Sequence, residues 1–459
     1  MRLKSFLLAI VLAAGCPFNI SAQQAASETV AFVGANVVPM DRERVLENQT
    51  VLVTAGRIVE IGPAASVRVP GGATRIDARG KFLMPGLCDM HGHLVPGEGA
   101  NGDGPSQIMK LYLANGVTTV RGMIGHPTNL VVRDKIARGE MPGPRVYAAG
   151  PAVNQKLAPT PEAGVKVVEA HKAAGYDLIK IHEGLSPATF EAIAAAAKRV
   201  GIRIAGHVSD TIGLDRAIGA RQSSIEHLDG YLQALVPANA PAQPVPGQVQ
   251  FGPALAYMDE AKIAALAART KEAGIWNTPT LALFEIIVSS DAPETFALWP
   301  ELAYVPQGMR DGFMKQKAGT AGIPASPEDR KRFVELRRHV VKGLHDAGAN
   351  LLVGPDSPQL FLVPGFATHR EMASLVAAGL TPFAVLQAAT TSAAEYLGTT
   401  AETGTVATGK RADLLLLDAN PLQDIANAHK IAGVMANGRW MPRTEIERML
   451  AEIAALHKQ

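Results

Sequence analysis

Cysteine is almost missing from this sequence: Cys16 and Cys88 are the only two among 459 residues. The chain therefore cannot be a disulfide-built scaffold, and neither cysteine sits in the context of a catalytic nucleophile. Aromatic residues reach only 5%, and Lys plus Arg exceed Asp plus Glu by just 44 to 42. So even a balance gives no electrostatic reason to expect a nucleic-acid or anionic-lipid partner. Basic clusters such as Arg330-Lys331-Arg332 and Arg337-Arg338 read as helix-surface charges. No internal repeat and no G-x-S-x-G nucleophile elbow is present. Gly97-Glu-Gly-Ala-Asn-Gly102 satisfies G-x-G-x-x-G, but Pro105 follows where a dinucleotide site needs a helix to begin.

What is there describes a globular enzyme: 47% hydrophobic and 19% charged residues. The length suits a large α/β domain with a smaller companion. Arg2 and Lys4 precede the apolar stretch Ser5–Ala14, and Ile20-Ser-Ala22 offers a cleavage site, so residues 1–22 read as an export signal. The apolar core is too short to span a bilayer permanently, and no transmembrane span is expected after cleavage. A periplasmic or secreted enzyme follows. The rival reading makes Cys16 a lipoprotein anchor, against which stand Ala13 in place of a large aliphatic residue and Pro17 directly after the cysteine. Cleavage after Ala22 removes two basic residues and no acid, so the formal charge falls from +2 to zero. Cys88 alone then remains, and its odd spacing from His91 predicts a buried side chain facing away from the histidines.

Residues 30–84 alternate apolar and polar positions between turn residues, and residues 401–445 do so again, with 446–459 as a terminal helix. The two β-rich ends can build one small β-sandwich. Between them, residues 85–400 alternate strand and helix, with apolar runs ending near His93, Arg121, Ala149, Lys180, His207, His227, Thr280 and Asp356. Ser186-Pro187 opens one helix and Gly201 closes it; Asp259 to Gly274 and Ser326-Pro327 to Gly348 obey the same rule. Eight such units predict a (β/α)8 TIM barrel, whose chemistry sits at the C-terminal strand ends. Two proline-punctuated intervals, Val236–Pro253 and Leu281–Pro327, are too long for plain connections and read as substrate-shaping or lid loops.

Six candidate ligands stand at those strand ends: His91 and His93 in Asp-Met-His-Gly-His, Lys180 in Asp-Leu-Ile-Lys-Ile-His, His207 in Ile-Ala-Gly-His, His227 in Ser-Ile-Glu-His, and Asp356 in Leu-Val-Gly-Pro-Asp. Strand alternation points His91 and His93 the same way, which is half a metal site. Glu226, next to His227, is expected to face the opposite side as a structural residue.

In this order of ligands, H-x-H, K, H, H, D, and in the ending Gly404-Thr-Val-Ala-Thr-Gly-Lys-Arg-Ala-Asp-Leu414, the chain resembles the metal-dependent amidohydrolase superfamily, in its imidazolonepropionase-like and Xaa-Pro dipeptidase-like branch. The resemblance runs from about Val30 to Arg439. It implies a centre of two divalent ions, zinc by preference, with His91, His93 and Asp356 on one and His207 and His227 on the other. Lys180, carboxylated by CO2, would bridge them, since an ammonium has no lone pair and a carbamate has two anionic oxygens. A bridging hydroxide would attack the carbonyl of a small-molecule amide or peptide, and Asp356 would carry the proton to the leaving nitrogen. A mononuclear site with Lys180 as a plain rim lysine stays open.

His182, Tyr231 and His369 are weaker candidates for substrate contacts. The run Arg121-Gly-Met-Ile-Gly-His126 departs from relatives, which often carry an aspartate and a glycine pair there, so no role is carried over for Arg121. The expected reaction is hydrolysis of a dipeptide or N-acyl amino acid. Alternatives are a cyclic amide, imide or lactone hydrolase on the same centre, a deaminase, or a non-catalytic metal-binding barrel. Homo-oligomer formation is left open.

Overall fold

The computed structural model describes residues 29–94, 104–244, 252–320 and 325–458. The proposed export signal and Cys16 lie outside these residues, as does part of the Val236–Pro253 interval. Five strands open the described chain: β1 (Thr29–Val37), β2 (Leu46–Thr54), β3 (Arg57–Pro63), β4 (Thr74–Asp77) and β5 (Phe82–Pro85). Eight short parallel strands follow: β6 (Leu87–Gly92), β7 (Val117–Gly122), β8 (Arg145–Ala148), β9 (Leu178–Ile181), β10 (Arg203–Gly206), β11 (Ser224–Glu226), β12 (Trp276–Thr278) and β13 (Asn350–Leu351). The last three strands are β14 (Leu414–Leu417), β15 (Ile431–Ala436) and β16 (Arg439–Pro442).

The eight central strands close into the expected barrel. β6–β8 and β9–β13 are separate ladders, and both seams between them are stitched. Bridges Ala149–Leu178 and Val153–Ile181 join β8 to β9. At the other seam the Met90 N–H donates to the Val353 carbonyl at 2.8 Å, and the Asp356 N–H donates to the His91 carbonyl at 2.9 Å. The runs ending near Ala149 and Thr280 thus take their places as β8 and β12.

The two chain ends share one sheet in the order β16-β15-β14-β5-β1-β2-β3, with β4 on β1. Phe32 of β1 and Trp440 of β16 are far apart along this order, yet their rings meet edge-on with centroids 5.0 Å apart. The sheet therefore curls over its own apolar face, enclosing Val51, Ile58, Leu83, Leu414 and Met435 as the small sandwich's core.

The helix punctuation acts as its chemistry dictates. Ser186 Oγ accepts the Thr189 N–H at 3.1 Å, Pro187 fills the first turn, and Gly201 closes the helix Pro187–Val200 with φ +65°. The Leu281–Pro327 interval differs from its expected loop. It folds into the helices Leu281–Val288, Pro293–Ala297 and Gln307–Thr320 with a 3-10 turn at Pro300–Tyr304. Pro293 and Pro300 sit at first-turn positions, where a missing N–H costs nothing, so these prolines start helices rather than break them. The insert packs Phe296 and Phe313 against Phe361, just beyond Asp356. Arg337 also departs from the surface reading: it is only 2% exposed, beneath the barrel mouth.

Candidate metal centre

All six predicted side chains meet at the C-terminal mouth of the barrel. Asp356 Oδ1 lies 2.9 Å from His93 Nε2 and 3.3 Å from His91 Nε2, and this buried oxygen accepts no hydrogen bond. The ligand atoms of His91, His93 and Asp356 all fall within 4.8 Å of one another. Lys180 Nζ is 3.4 Å from His91 Nε2, and Asp356 Oδ2 is 3.8 Å from His227 Nε2. The His227 ring stands 4.7 Å from those of His91 and His207. A buried carboxylate oxygen without a donor, facing imidazole nitrogens, is the environment a divalent cation fits.

The local backbone makes this convergence. His227 and Asp356 leave their strands in left-handed conformations, φ +62° and +64°, which turns both side chains inward over the mouth. Gly206, before His207, has φ +126°. A Cβ there would come within 2.3 Å of the Ile181 carbonyl and 2.9 Å of Lys180 Cδ, so only glycine lets β10 lie against the lysine.

Three histidines have their second nitrogen committed. His91 Nδ1 lies 2.7 Å from Glu226 Oε2, and His207 Nδ1 lies 2.8 Å from Asp229 Oδ2. A carboxylate only accepts, so the proton sits on Nδ1 and the lone pair on Nε2. His227 Nδ1 meets Thr280 Oγ1 at 3.0 Å, and that hydroxyl points its own proton toward the Thr278 carbonyl at 3.3 Å. The result is the same tautomer. Burial pushes His91 and His227 well below the usual imidazole range, with neighbouring cationic groups adding to it, so both are neutral ligands. Burial alone would raise the Asp356 carboxyl, but its surroundings, His91 and His93 with Lys180, set it below the usual carboxylate range. Lys180 is 1% exposed, and burial lowers its amine; among the described residues it forms no ion pair. Glu183, His207 and Asp229 form a second group with ligand atoms within 4.8 Å. It uses the nitrogen of His207 that Asp229 already engages, so Nε2 is the better-placed donor.

Glu226 does not face away. The left-handed turn at His227 breaks strand alternation, and the buried Glu226 carboxylate points into the barrel. It binds His91, accepts Arg121 Nη2 at 2.9 Å, and accepts the Ser224 hydroxyl. Arg121, fully buried, also donates to the Met90 carbonyl at 2.5 Å and to Ser224 Oγ at 2.9 Å, tying β6, β7 and β11 together. An acid beside a ligand histidine was the available signal for Glu226. Thr280 offered only its place at the end of an apolar run, and Asp229 offered none.

Of the weaker candidates, His182 joins the cluster with its ring 4.7 Å from that of His207. Tyr231 does not. A left-handed turn through Leu228 and Gly230 starts a new helix there, and its hydroxyl is buried against Thr270 Oγ1 at 2.8 Å. His369 faces the other way too: Nε2 meets the Asn115 carbonyl at 2.9 Å, and the ring lies 4.7 Å from that of His429. Cys88 is buried with Met90, Trp276, Leu352 and Tyr396, and burial pushes its thiol up to about 12. It takes no part in the cluster.

A model of the amidohydrolase family matches residues 82–441. Over 475 aligned positions the chain is 23% identical to ochratoxinase of Aspergillus niger, covering 89% of this chain and 85% of that one. An adenine deaminase of Ruegeria sp. (strain TM1040) is 35% identical over 83 residues, so the match spans 18% of this chain and only 13% of that relative. Among solved structures, a candidate prolidase from Bifidobacterium longum superposes with a TM-score of 0.67 at 26% identity, covering 93% of this chain and 99% of that one. Bottromycin amidohydrolase superposes with a TM-score of 0.69 at 22% identity, covering 94% and 91%, a likeness of fold.

Proposed function

The chain belongs to the amidohydrolase family, and we propose that it is a metal-dependent hydrolase of an amide C–N bond in a dipeptide or N-acyl amino acid. The observation that carries this is the unpartnered, buried Asp356 Oδ1 facing Nε2 of His91 and His93 at the barrel mouth. We assign His91, His93 and Asp356 to one divalent ion and His207 and His227 to a second, with zinc as the metal. Bound there, such ions polarise a carbonyl and make a water acidic enough to attack it near neutral pH.

The chain's own residues do the rest. Lys180 is the residue that, as a carbamate, would offer anionic oxygens to the ions. Burial lowers its amine, which favours the neutral form that adds to CO2 and sheds a proton. The Asp356 carboxyl lies below the usual carboxylate range, so it is ionised and can take a proton from the attacking water and deliver it to the leaving nitrogen. His182 accepts the Glu183 N–H on Nδ1 at 2.8 Å, so its own proton sits on Nε2, where it can donate to a substrate oxygen. Phe284 of the helical insert has its ring 6.3 Å from the His227 imidazole. Among the described residues no helix is long and apolar enough to cross a membrane; the proposal that residues 1–22 export the enzyme rests on sequence pattern.

The test is a substrate panel on protein purified with zinc and bicarbonate. Dipeptides and N-acyl amino acids should turn over, with loss on chelation and recovery on adding zinc. Turnover confined to lactones or cyclic amides would replace the substrate class. Metal bound without turnover of any member would make the barrel a binding protein.

A further inference from the structure

Two buried ionic side chains close to the mouth are unused by the proposed chemistry. Arg337, in the helix Pro327–Asp346, is 2% exposed, and Glu371, in the helix Phe366–Ala377, is fully buried. A buried charge is expected to find a partner of opposite sign. Among the described residues neither forms an ion pair. Each turns to backbone instead, and both do so at the junction between β12 and the helix Leu281–Val288. Burial pushes the Glu371 carboxyl up to about 8, but both of its oxygens accept N–H groups, which favours the carboxylate.

Arg337 Nη2 donates to the Pro279 carbonyl at 2.9 Å and to the His227 carbonyl at 2.7 Å. Its guanidinium rests on the Phe284 ring, 3.7 Å from the centroid. Glu371 accepts the Leu281 N–H on one oxygen at 2.9 Å and the Ala282 N–H on the other at 2.8 Å. The two side chains therefore grip the chain immediately before and immediately after Thr280. That residue has φ +55°, a left-handed conformation that a β-branched residue avoids unless its surroundings impose it. In this conformation the Thr280 hydroxyl reaches His227 Nδ1 and fixes the imidazole tautomer. The same Nη2 holds the carbonyl of His227 itself, where the backbone is left-handed as well.

We infer that Arg337 and Glu371 are positioning residues for the metal centre, clamping Thr280 in its left-handed turn so that its hydroxyl aims Nε2 of His227 at the ion. This rests on the reading of His227 as a ligand. The inference assigns a purpose to two buried charges that a merely structural role would place in an ion pair. It also separates His227 from His91 and His207, whose second nitrogens are held directly by carboxylates.

The experiment measures zinc affinity at each position by competition with a chelator, together with Tm and the visible spectrum of the cobalt(II)-substituted protein. The variants are Thr280→Ala, Arg337→Lys, Arg337→Ala, Glu371→Gln and, as reference, His227→Ala. Thr280→Ala deletes one hydroxyl and tests the inference even where the charge variants fold poorly. Removing such a support typically weakens a metal by about 10- to 100-fold. The expected result is that loss for one ion only, with an altered cobalt spectrum, in Thr280→Ala, Arg337→Lys, Arg337→Ala and Glu371→Gln, and the same ion missing in His227→Ala. Added methylguanidinium should restore affinity to Arg337→Ala. Unchanged affinity and spectrum in Thr280→Ala, beside an ion lost in His227→Ala, would overturn the inference alone. An unchanged metal complement in His227→Ala would overturn the ligand reading and the inference together.

Discussion

The two ends of one barrel are built on opposite principles. At the closed end, Cys88, Met90, Trp276, Leu352 and Tyr396 form a compact apolar cluster, held by contact area and tolerant of what each residue is so long as volume is filled. At the mouth, a few residues further along the same strands, side chains are placed by single hydrogen bonds: Glu226 to His91, Asp229 to His207, Thr280 to His227. The backbone differs as well. His227, Leu228, Thr280 and Asp356 are all left-handed at the mouth, at a cost of roughly 1–2 kcal/mol each for residues with a Cβ. Arg121 joins the two ends, its guanidinium 4.8 Å from the Tyr396 ring below and bonded to Glu226 above. Stability is concentrated at one end, and strain and buried charge at the other.

Substitutions at the two ends should therefore fail in different ways. Asp356→Asn has the largest expected effect. It removes the proton carrier and weakens a ligand while leaving the packing intact, so kcat should fall by about 10²- to 10⁴-fold with Tm little changed. Steady-state kinetics and a melting curve on one preparation decide this, and a matched fall in Tm would mean that Asp356 supports the fold instead. Leu352→Ala, at the closed end, should cost about 2–5 kcal/mol of unfolding free energy yet leave zinc affinity as it was. Denaturant titration beside chelator competition reads both quantities. A loss of metal in this variant would erase the division between the ends.

The closed end was more legible than the mouth. Eight apolar runs and their helix signals carried the barrel, because burial of a parallel strand writes itself into consecutive residues. Caps such as Ser186 and Gly201 are local too. Six candidate ligands could be found because each terminates such a run. What supports them could not: His91 and Glu226 are separated by 135 residues, and no periodicity reports a contact of that range. Alternation sent Glu226 to the wrong face because it assumes an extended backbone, and the chain turns left-handed one residue later. Tyr231 was misplaced by the same turn. The prolines of Leu281–Pro327 were read as loop residues, since a proline at a first turn and a proline in a loop look alike until the following helix is seen to pack.

Glu226→Gln sharpens the comparison at the mouth. The amide keeps the volume and can still accept from His91, but it loses the charge that Arg121 and His91 share. Metal affinity should fall by about 10- to 100-fold, less than the kcat loss expected for Asp356→Asn at its upper range. Arg121, left without its carboxylate, should also lower Tm, because a buried cation that loses its partner is destabilising. Retained affinity in this variant would mean that His91 is oriented by packing, as the closed end is.

The effect that is smallest at neutral pH lies outside both ends, at His369. Burial, with His429 adding to it, lowers this imidazole to about 3, whereas an unfolded histidine titrates near 6.5. The folded-state value is the depressed one. The contribution of His369 to stability is therefore complete above about pH 6.5, declines as the unfolded chain takes up a proton, and is gone once pH falls through about 3. His369→Gln can still donate to the Asn115 carbonyl but cannot titrate. Its unfolding free energy should fall less steeply than that of the parent between pH 6.5 and 4, with activity at neutral pH unchanged. Parallel slopes would place the acid sensitivity elsewhere, and a loss of activity at neutral pH would return His369 to the substrate side of the molecule.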